Sequence, residues 1–175
     1  FQVCNALLSA PSLAEAVPTV LVDLAELGGW DAAMLWLTGE SDGTLHFVGA
    51  WHSEGVNGGS LVSLSRQTTF RAGRSPLGSL WGQDEQPGLY DLRLDGRSPR
   101  AFYAVEAGLE WGCYFPLWHQ QRLLGFFEFL GADLTPPSAE LRKVVSAAGH
   151  QVLERLLRER LETRVSTADA LASPI

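Results

Sequence analysis

The sequence has few cysteines, a single lysine and no long apolar segment, and each shortage excludes a class of protein. Cys4 and Cys113 are the only cysteines among 175 residues, too few for a disulfide framework. The longest unbroken apolar run, Ala32 to Leu37, is too short to span a membrane as a helix. Only Lys143 is a lysine, and 20 acidic residues outnumber 13 basic ones. The net charge of −7 argues against nonspecific binding of nucleic acid.

The sequence also lacks the motifs on which most catalytic sites are built. It contains no phosphate-binding Gly-Lys-Ser/Thr loop and no nucleophile-elbow motif. Its histidines do not pair with one another, or with a cysteine, at metal-ligand spacing. We therefore expect no enzymatic activity, no metal and no cofactor. Haem is left open, because a haem needs only one axial histidine.

The amino terminus has neither an initiator Met nor the basic region of a signal peptide. With so few cysteines, a reducing cytoplasm is the default location. We therefore expect a segment of a longer cytoplasmic protein. In this interpretation residues 1–10 end an upstream helix, residues 11–164 form a single domain, and residues 165–175 are a flexible tail or a linker to a missing output domain.

The residue pattern predicts an α+β domain. Helical spacing of apolar residues, a capping box at Ser12, Ser-Pro starts and a Pro-rich turn before residue 138 predict helices over 13–27, 76–81, 99–107 and 138–164. Apolar runs predict strands over 32–37, 45–52, 89–92, 111–118 and 123–130, with 61–70 a strand or irregular. Because the last two strands are apolar on both faces, we expect an antiparallel sheet of five or six strands between two layers. The terminal helices cover one face, and short helices and loops cover the other.

Four landmarks along the chain occur in a recognisable order. They are Gly73-x-x-x-x-Gly78-x-x-Trp81; Pro87-x-Leu89-x-Asp91 with Asp95 and Ala107-Gly108-Leu109; Phe115-Pro116-Leu117 with Leu124-Gly125-Phe126-Phe127; and a long final helix after a Pro-rich turn. From Pro11 to Arg160 the chain thereby resembles a GAF domain, the small sensory module of bacterial signalling proteins. In one departure, Ser75-Pro76 replaces the middle of the family's usual Gly-x-Gly-Leu-x-Gly.

The resemblance implies a pocket for a small ligand between one sheet face and the middle helices, and terminal helices that pair subunits and pass the signal on. Family ligands include cyclic nucleotides, bilins and haem. Residues 98–102 hold no cysteine for bilin attachment, and the lysine of the cyclic-nucleotide signature is absent. The resemblance therefore implies a sensor of an unidentified small ligand, with an output domain in cis. The alternative is a ligand-free dimerisation spacer.

The middle segment is rich in aromatic residues, as ligand pockets are. We expect the pocket to be lined by Phe70, Trp81, Tyr90, Arg100, Phe102 and Trp111. Arg100 either pairs with a phosphate or carboxylate or, as we favour, is solvated. Arg74, His52 and Glu128 are further polar candidates. Glu128 shares a strand face with apolar residues, so we expect it at a sheet edge, and we expect Cys113 to pack as a small buried hydrophobe.

The last predicted helix carries two apolar stripes. The first comprises Leu141, Val145, Ala148, Val152 and Leu156, which suffices to dock the helix on its own sheet. The second comprises Leu153, Leu157, Leu161 and Val165, and it is flanked by Arg and Glu as a coiled-coil seam is. We therefore predict a homodimer whose interface includes Leu153, Leu157 and Leu161. The alternative is a wide buried face followed by a solvated, charged end.

Overall fold

Antiparallel strands form one sheet at the centre of the domain. The computed structural model describes residues 2–71, 87–133 and 135–173. Within these ranges the strands are β1 (Ala32–Thr38), β2 (Leu45–His52), β3 (Thr69–Phe70), β4 (Gly88–Asp91), β5 (Trp111–His119) and β6 (Arg122–Gly131). Their order across the sheet is β3-β2-β1-β6-β5-β4, and every neighbouring pair is antiparallel. The predicted α+β class and antiparallel sheet are thus confirmed.

Helices cover both faces of this sheet. They are α1 (Gln2–Ser9), α2 (Leu13–Gly28), α3 (Gly59–Arg66), α4 (Pro99–Glu106) and α5 (Ala139–Ala172), with a 3-10 turn over Leu92–Leu94. Residues of α1, α2 and α5 form one hydrophobic core with the sheet, and residues of α3 and α4 form the other. The terminal helices therefore lie on one face and the short middle helices on the opposite face, as the sequence predicts.

Strand β1 shows why both sheet faces are apolar. Every one of its residues is buried. Because successive side chains of a strand point to opposite faces, Ala33 and Leu35 pack in the core of the terminal helices, whereas Met34 and Trp36 pack in the core of the middle helices. A strand that is buried on both faces needs apolar residues at successive positions. This explains the continuous apolar run in the sequence.

Serine side chains cap the amino ends of three helices, and the sequence predicts two of these caps, Ser12 and Ser98. Ser12 accepts a hydrogen bond from the backbone N–H of Glu15, Ser98 from that of Ala101, and Ser138 from that of Leu141. Each serine oxygen thereby satisfies a backbone donor that has no partner within the first turn.

Two element assignments from the sequence are wrong. Residues 59–66 form helix α3, where the sequence predicts a strand or irregular segment from residue 61. Leu61 and Ser65, one helical turn apart, are the residues that it buries. Leu61 packs in the core of the middle helices and Ser65 accepts a hydrogen bond from Arg100 of α4, and a helix places both on one side. Helix α5 continues past Arg164 to Ala172, through residues predicted to be a tail. No glycine or proline interrupts those residues, and alanines favour the helical state.

The β5–β6 turn holds two non-glycine residues in the left-handed conformation. The φ angles are 46° at Gln120 and 63° at Gln121. Two-residue hairpin turns prefer glycine at the second of these positions. Left-handed backbone costs other residues about 1–2 kcal/mol, of which the extra chain entropy of unfolded glycine offsets about 0.5–1 kcal/mol.

We therefore expect Gln121→Gly to raise the free energy of unfolding by about 0.5–1 kcal/mol relative to Gln121→Ala. The alanine variant is the matched control, because it removes the same side chain but keeps a Cβ atom. Urea denaturation of both variants measures the difference. Equal midpoints for the two variants would show that the turn stores no strain.

Candidate functional site

A buried ion pair lies on the sheet face covered by α3 and α4. Glu128 of β6 is fully buried, at 0% exposure, and Arg100 of α4 is 8% exposed. The Arg100 guanidinium donates two hydrogen bonds to the carboxylate, from Nη2 to Oε2 at 2.8 Å and from Nη1 to Oε1 at 3.4 Å. A charged pair in an apolar layer is unusual, because both ions lose their hydration.

Two further donors saturate the Glu128 carboxylate. The indole Nε1 of Trp36 donates to Oε2 at 2.9 Å, and the Tyr90 hydroxyl donates to Oε1 at 2.5 Å. Burial, followed by the negative charge of Glu128, raises the pKa of Tyr90 well above its ordinary value of 10.0. The phenol therefore remains protonated and continues to donate.

The Arg100 side chain is also enclosed on all sides. Its Nε donates to Ser65 Oγ at 2.8 Å, and Nη2 lies 3.3 Å from the sulfur of Met34. The guanidinium carbon stands 4.9 Å from the ring centroid of Trp36 and 5.4 Å from that of Phe70, both within cation–π range. We call Glu128, Arg100, Tyr90, Trp36 and Ser65 the polar cluster.

The fold explains how these residues meet. Strand β6 lies between β1 and β5, so Glu128 is opposite Met34 on one side and Tyr114 on the other. Ser98 and Pro99 fix the start of α4 and place Arg100 in its first turn. The polar cluster thus joins four strands or helices, β1, β4, α3 and α4, to the central strand β6.

Two predictions about these charges are therefore wrong. Glu128 lies on an interior strand and not at a sheet edge, and Arg100 is buried and not solvated. Neither residue has an opposite charge near it in the sequence that would indicate a partner. Because 28 positions separate them, only the tertiary fold brings the two opposite charges together.

The predicted pocket residues are only partly brought together. The polar cluster and its immediate contacts include Phe70, Tyr90 and Arg100. Phe102 instead is 59% exposed and packs edge-on against Tyr103. Trp111 begins β5, where the Arg93 guanidinium lies 5.2 Å from its ring centroid. Within the described ranges neither of these two aromatic residues contacts the Glu128 carboxylate, whose partners are Trp36, Tyr90 and Arg100.

Other sequence candidates lie elsewhere. Trp81, Arg74 and the predicted helix over 76–81 fall outside the described residues. The ring Nδ1 of His52 is 3.0 Å from the backbone oxygen of Ser53, at the end of β2. Sequence analysis missed Trp36 and Ser65. A role for Trp36 could have been predicted, since an indole N–H in a fully buried strand needs a hydrogen-bond acceptor.

Cys113 packs as the sequence predicts. It is 3% exposed, in the core beneath the terminal helices. Burial raises the pKa of its thiol from 9.0 to about 12. The thiol is thus protonated and unreactive at neutral pH.

Two cavities formed by described residues lie on the opposite face of the sheet, between β5 and α5. Their volumes are about 600 and 200 Å³. Buried Phe115 and Leu117 contribute to the floor of the larger, and exposed Arg142 and Lys143 stand at its rim. Close approach of α5 to the sheet near these cavities depends on Gly149, since a Cβ there would lie 2.5 Å from the Leu117 side chain.

The residues of the predicted dimer stripe differ in exposure. Leu153 is 3% exposed and belongs to the core of its own chain, and Leu157 is half-buried against that core. Leu161 and Val165 are exposed, at 61% and 59%. Only the later part of the stripe is thus available to a second chain.

Over the described ranges, no helix combines the length and apolar character needed to cross a membrane. The same ranges contain no group of three or more His, Cys, Asp or Glu residues arranged to hold a metal ion.

Known proteins resemble this chain in structure. No family model matches it, and no curated protein matches it in sequence. The GAF domain of a phosphoenolpyruvate-protein phosphotransferase from Coxiella burnetii superposes with a TM-score of 0.71 at 19% identity, over 93% of each chain. A domain of a putative two-component sensor histidine kinase from Sinorhizobium meliloti 1021 gives 0.64 at 20% identity, over 90% of this chain and 99% of that one.

A ligand-bound structure shows the same likeness. The phycoerythrobilin-bound GAF domain of a cyanobacterial phytochrome superposes with a TM-score of 0.66 at 13% identity, over 93% of this chain and 94% of that one. At such identities the similarity is one of fold. It extends over nearly the whole of each chain, so it includes the sheet and the helices on both of its faces.

Proposed function

Since the chain has the GAF fold, we propose that it is a sensory domain of a cytoplasmic, multidomain signalling protein. A small ligand binds on the sheet face beneath α3 and α4, and the terminal helices relay its presence to an output domain in cis. Domains of the same fold come from a putative sensor histidine kinase and from a GAF/HD domain protein of Geobacter sulfurreducens, which supports this context.

The observation that carries the proposal is the fully buried Glu128 carboxylate on an otherwise apolar strand face. Replacing a buried ion pair by apolar side chains of similar volume is often neutral or stabilising, so stability alone does not call for the Arg100–Glu128 pair. Departures from the rules that specify a fold concentrate at functional sites. The polar cluster lies on the same sheet face that the GAF resemblance assigns to the ligand.

The chemistry of the polar cluster favours an uncharged ligand. Glu128 neutralises Arg100, and the carboxylate already accepts hydrogen bonds from Trp36 and Tyr90. An anionic ligand would have to displace Glu128 from Arg100 and leave a buried carboxylate unpaired. The aromatic rings around the pair instead favour an apolar or aromatic molecule.

The second candidate function is a ligand-free dimerisation spacer. One observation favours it: the charges of Arg100 and Glu128 are satisfied by each other and by protein side chains without any ligand. In both candidates we propose that the exposed end of α5 pairs with a second copy. Leu157, Leu161 and Val165 then cover one another, which removes exposed apolar surface from water.

Native mass spectrometry of the freshly purified protein tests both candidates at once, since it reports subunit number and retained ligand together. We expect two chains with one small organic molecule bound to each. A dimer of bare chains would support the spacer instead, and a bare monomer would contradict both candidates.

A variant separates pairing from ligand binding. Leu161→Glu with Val165→Glu should give a monomer that keeps its ligand, because both residues are exposed in the single chain and like charges then face each other in the seam. Leu94→Glu is the matched control: Leu94 is an equally apolar residue, 83% exposed, outside the terminal helices. It should stay dimeric.

A further inference from the structure

An Arg–Glu pair on α5 lies between the ends of the two amino-terminal helices. Arg155 and Glu159 are one helical turn apart, and Arg155 Nε donates to Glu159 Oε1 at 2.9 Å. The side chain of Arg155 is 13% exposed and that of Glu159 is 32% exposed. The pair is thus largely enclosed, unlike an ordinary surface pair.

Arg155 closes the carboxyl end of α1. Its Nη1 donates to the Leu7 carbonyl at 2.5 Å, and Nη2 donates to the carbonyls of Ala10 at 2.9 Å and Pro11 at 3.0 Å. The last carbonyls of a helix have no partner within it and carry partial negative charge, so a cation there satisfies both needs.

Glu159 meets the amino end of α2. Its Oε1 accepts a hydrogen bond from the backbone N–H of Leu13, the first residue of that helix, at 2.7 Å. The first N–H groups of a helix lack partners and carry partial positive charge. The two charges of the pair therefore each face the helix end of opposite sign.

Farther along, α5 is held by polar contacts to the first hairpin. Arg160 donates to the backbone carbonyl of Thr38, and Arg164 pairs with Glu40 at 2.9 Å. From Leu161 to Ser173 every described side chain of α5 is exposed. The direction in which α5 leaves the domain is consequently set by polar contacts more than by burial.

We propose that the Arg155–Glu159 pair is a coupling device that ties the path of the chain at its amino-terminal helices to the path of α5, where it leaves the domain. Displacement of α1 and of the link that follows it removes three acceptors from Arg155, namely the Leu7 carbonyl of α1 and the Ala10 and Pro11 carbonyls of the link. The same displacement frees Glu159 from Leu13 and changes the direction of α5. This proposal rests on the proposed function only in that α5 is taken as the relay helix.

Exchanging the two charges distinguishes this device from a simple ion pair. Arg155→Glu with Glu159→Arg keeps an i,i+4 pair, but it turns each charge toward the helix end of like sign. The matched control is Arg158→Glu with Glu162→Arg, which exchanges the charges of two exposed residues at the same spacing on α5.

Two measurements report the effect of the charge exchange on α1 and α5. Amide hydrogen exchange over residues 2–9 should be about tenfold faster or more in the exchanged variant and unchanged in the control, because hydrogen bonds to a charged group are lost. Spin labels on Asn5→Cys and Thr167→Cys, with Cys4 replaced by Ala, report the distance between α1 and the end of α5. We expect a narrow distribution in the parent protein and a broad one in the exchanged variant.

Parent-like exchange and distances in the exchanged variant would overturn the proposal, as would equal changes in the control. If the exchanged protein fails to fold, Arg155→Gln replaces it, and unchanged exchange over residues 2–9 in that variant overturns the proposal equally. Native mass spectrometry of the same samples measures whether ligand is retained. This measurement distinguishes failure of the coupling proposal from failure of the proposed function. If the coupling proposal is contradicted but the protein still retains its ligand, the proposed function is unaffected.

Discussion

Replacing Glu128 by Leu is expected to lower the free energy of unfolding by about 3–5 kcal/mol, because it leaves the buried Arg100 guanidinium without its counter-charge. The residue is fully buried, so water cannot take the place of the lost carboxylate. Arg100→Met should be similarly destabilising, since Glu128 would then be the uncompensated ion. Urea denaturation monitored by far-ultraviolet circular dichroism measures both.

The double variant, Glu128→Leu with Arg100→Met, is the decisive control for this prediction. Removing both charges together leaves an apolar face without an unpaired ion, so the double variant should be more stable than either single variant. Losses that simply add would show that the two residues act independently. The same double variant bears on function, because loss of a retained ligand at restored stability would assign the pair to recognition.

Gly125→Ala is expected to destabilise the domain by about 3 kcal/mol or more, at the upper end of what overpacking costs. Gly125 lies in β6 between Leu37 of β1 and Leu117 of β5. A Cβ atom there would stand 2.3 Å from the backbone oxygen of Trp36 and 2.6 Å from a methyl group of Leu37. A side chain can rotate away from such a clash, but a ladder carbonyl cannot move without breaking strand pairing.

Gly96→Ala is the control for this second prediction. A Cβ atom at Gly96 would meet nothing within 4 Å in the described part of the chain, and its φ angle is not in the left-handed region. Thermal unfolding of the two variants should therefore differ widely, with Gly96→Ala close to the parent protein. An equally stable Gly125→Ala would mean that β1 and β6 separate more easily than their register indicates.

Local sequence predicted those elements that depend on local interactions. The serine caps, the Ser-Pro start of α4 and the two-faced apolar strands were all correct, because hydrogen bonds within one turn or alternation within one strand decide them. The prediction over α3 was wrong because tertiary packing, and not the local sequence, decides the conformation of this segment. Its short, polar sequence favours no state strongly, and packing of Leu61 on the sheet decides.

Some site residues were predicted correctly from the sequence, whereas the positions of others depended on tertiary structure. Phe70, Tyr90 and Arg100 were expected to lie together. In the structure Tyr90 and Arg100 donate hydrogen bonds to the Glu128 carboxylate, and the Phe70 ring packs on the Arg100 guanidinium. That carboxylate itself was misplaced at an edge, because strand order across a sheet cannot be deduced from any one strand. The exposure of Phe102 likewise depends on how α4 rotates about its axis when it docks.

The sequence by itself determined the α+β class, the covered antiparallel sheet and most helix boundaries, since these follow from periodicity, capping and turn chemistry within short windows. Tertiary structure alone decided which charges meet. Arg100 pairs with Glu128 across 28 positions. Arg155 contacts the end of α1, and Glu159 the start of α2, across more than 140 positions each. The physical reason is that a buried charge must be compensated by whatever the fold brings near it, at any distance along the chain.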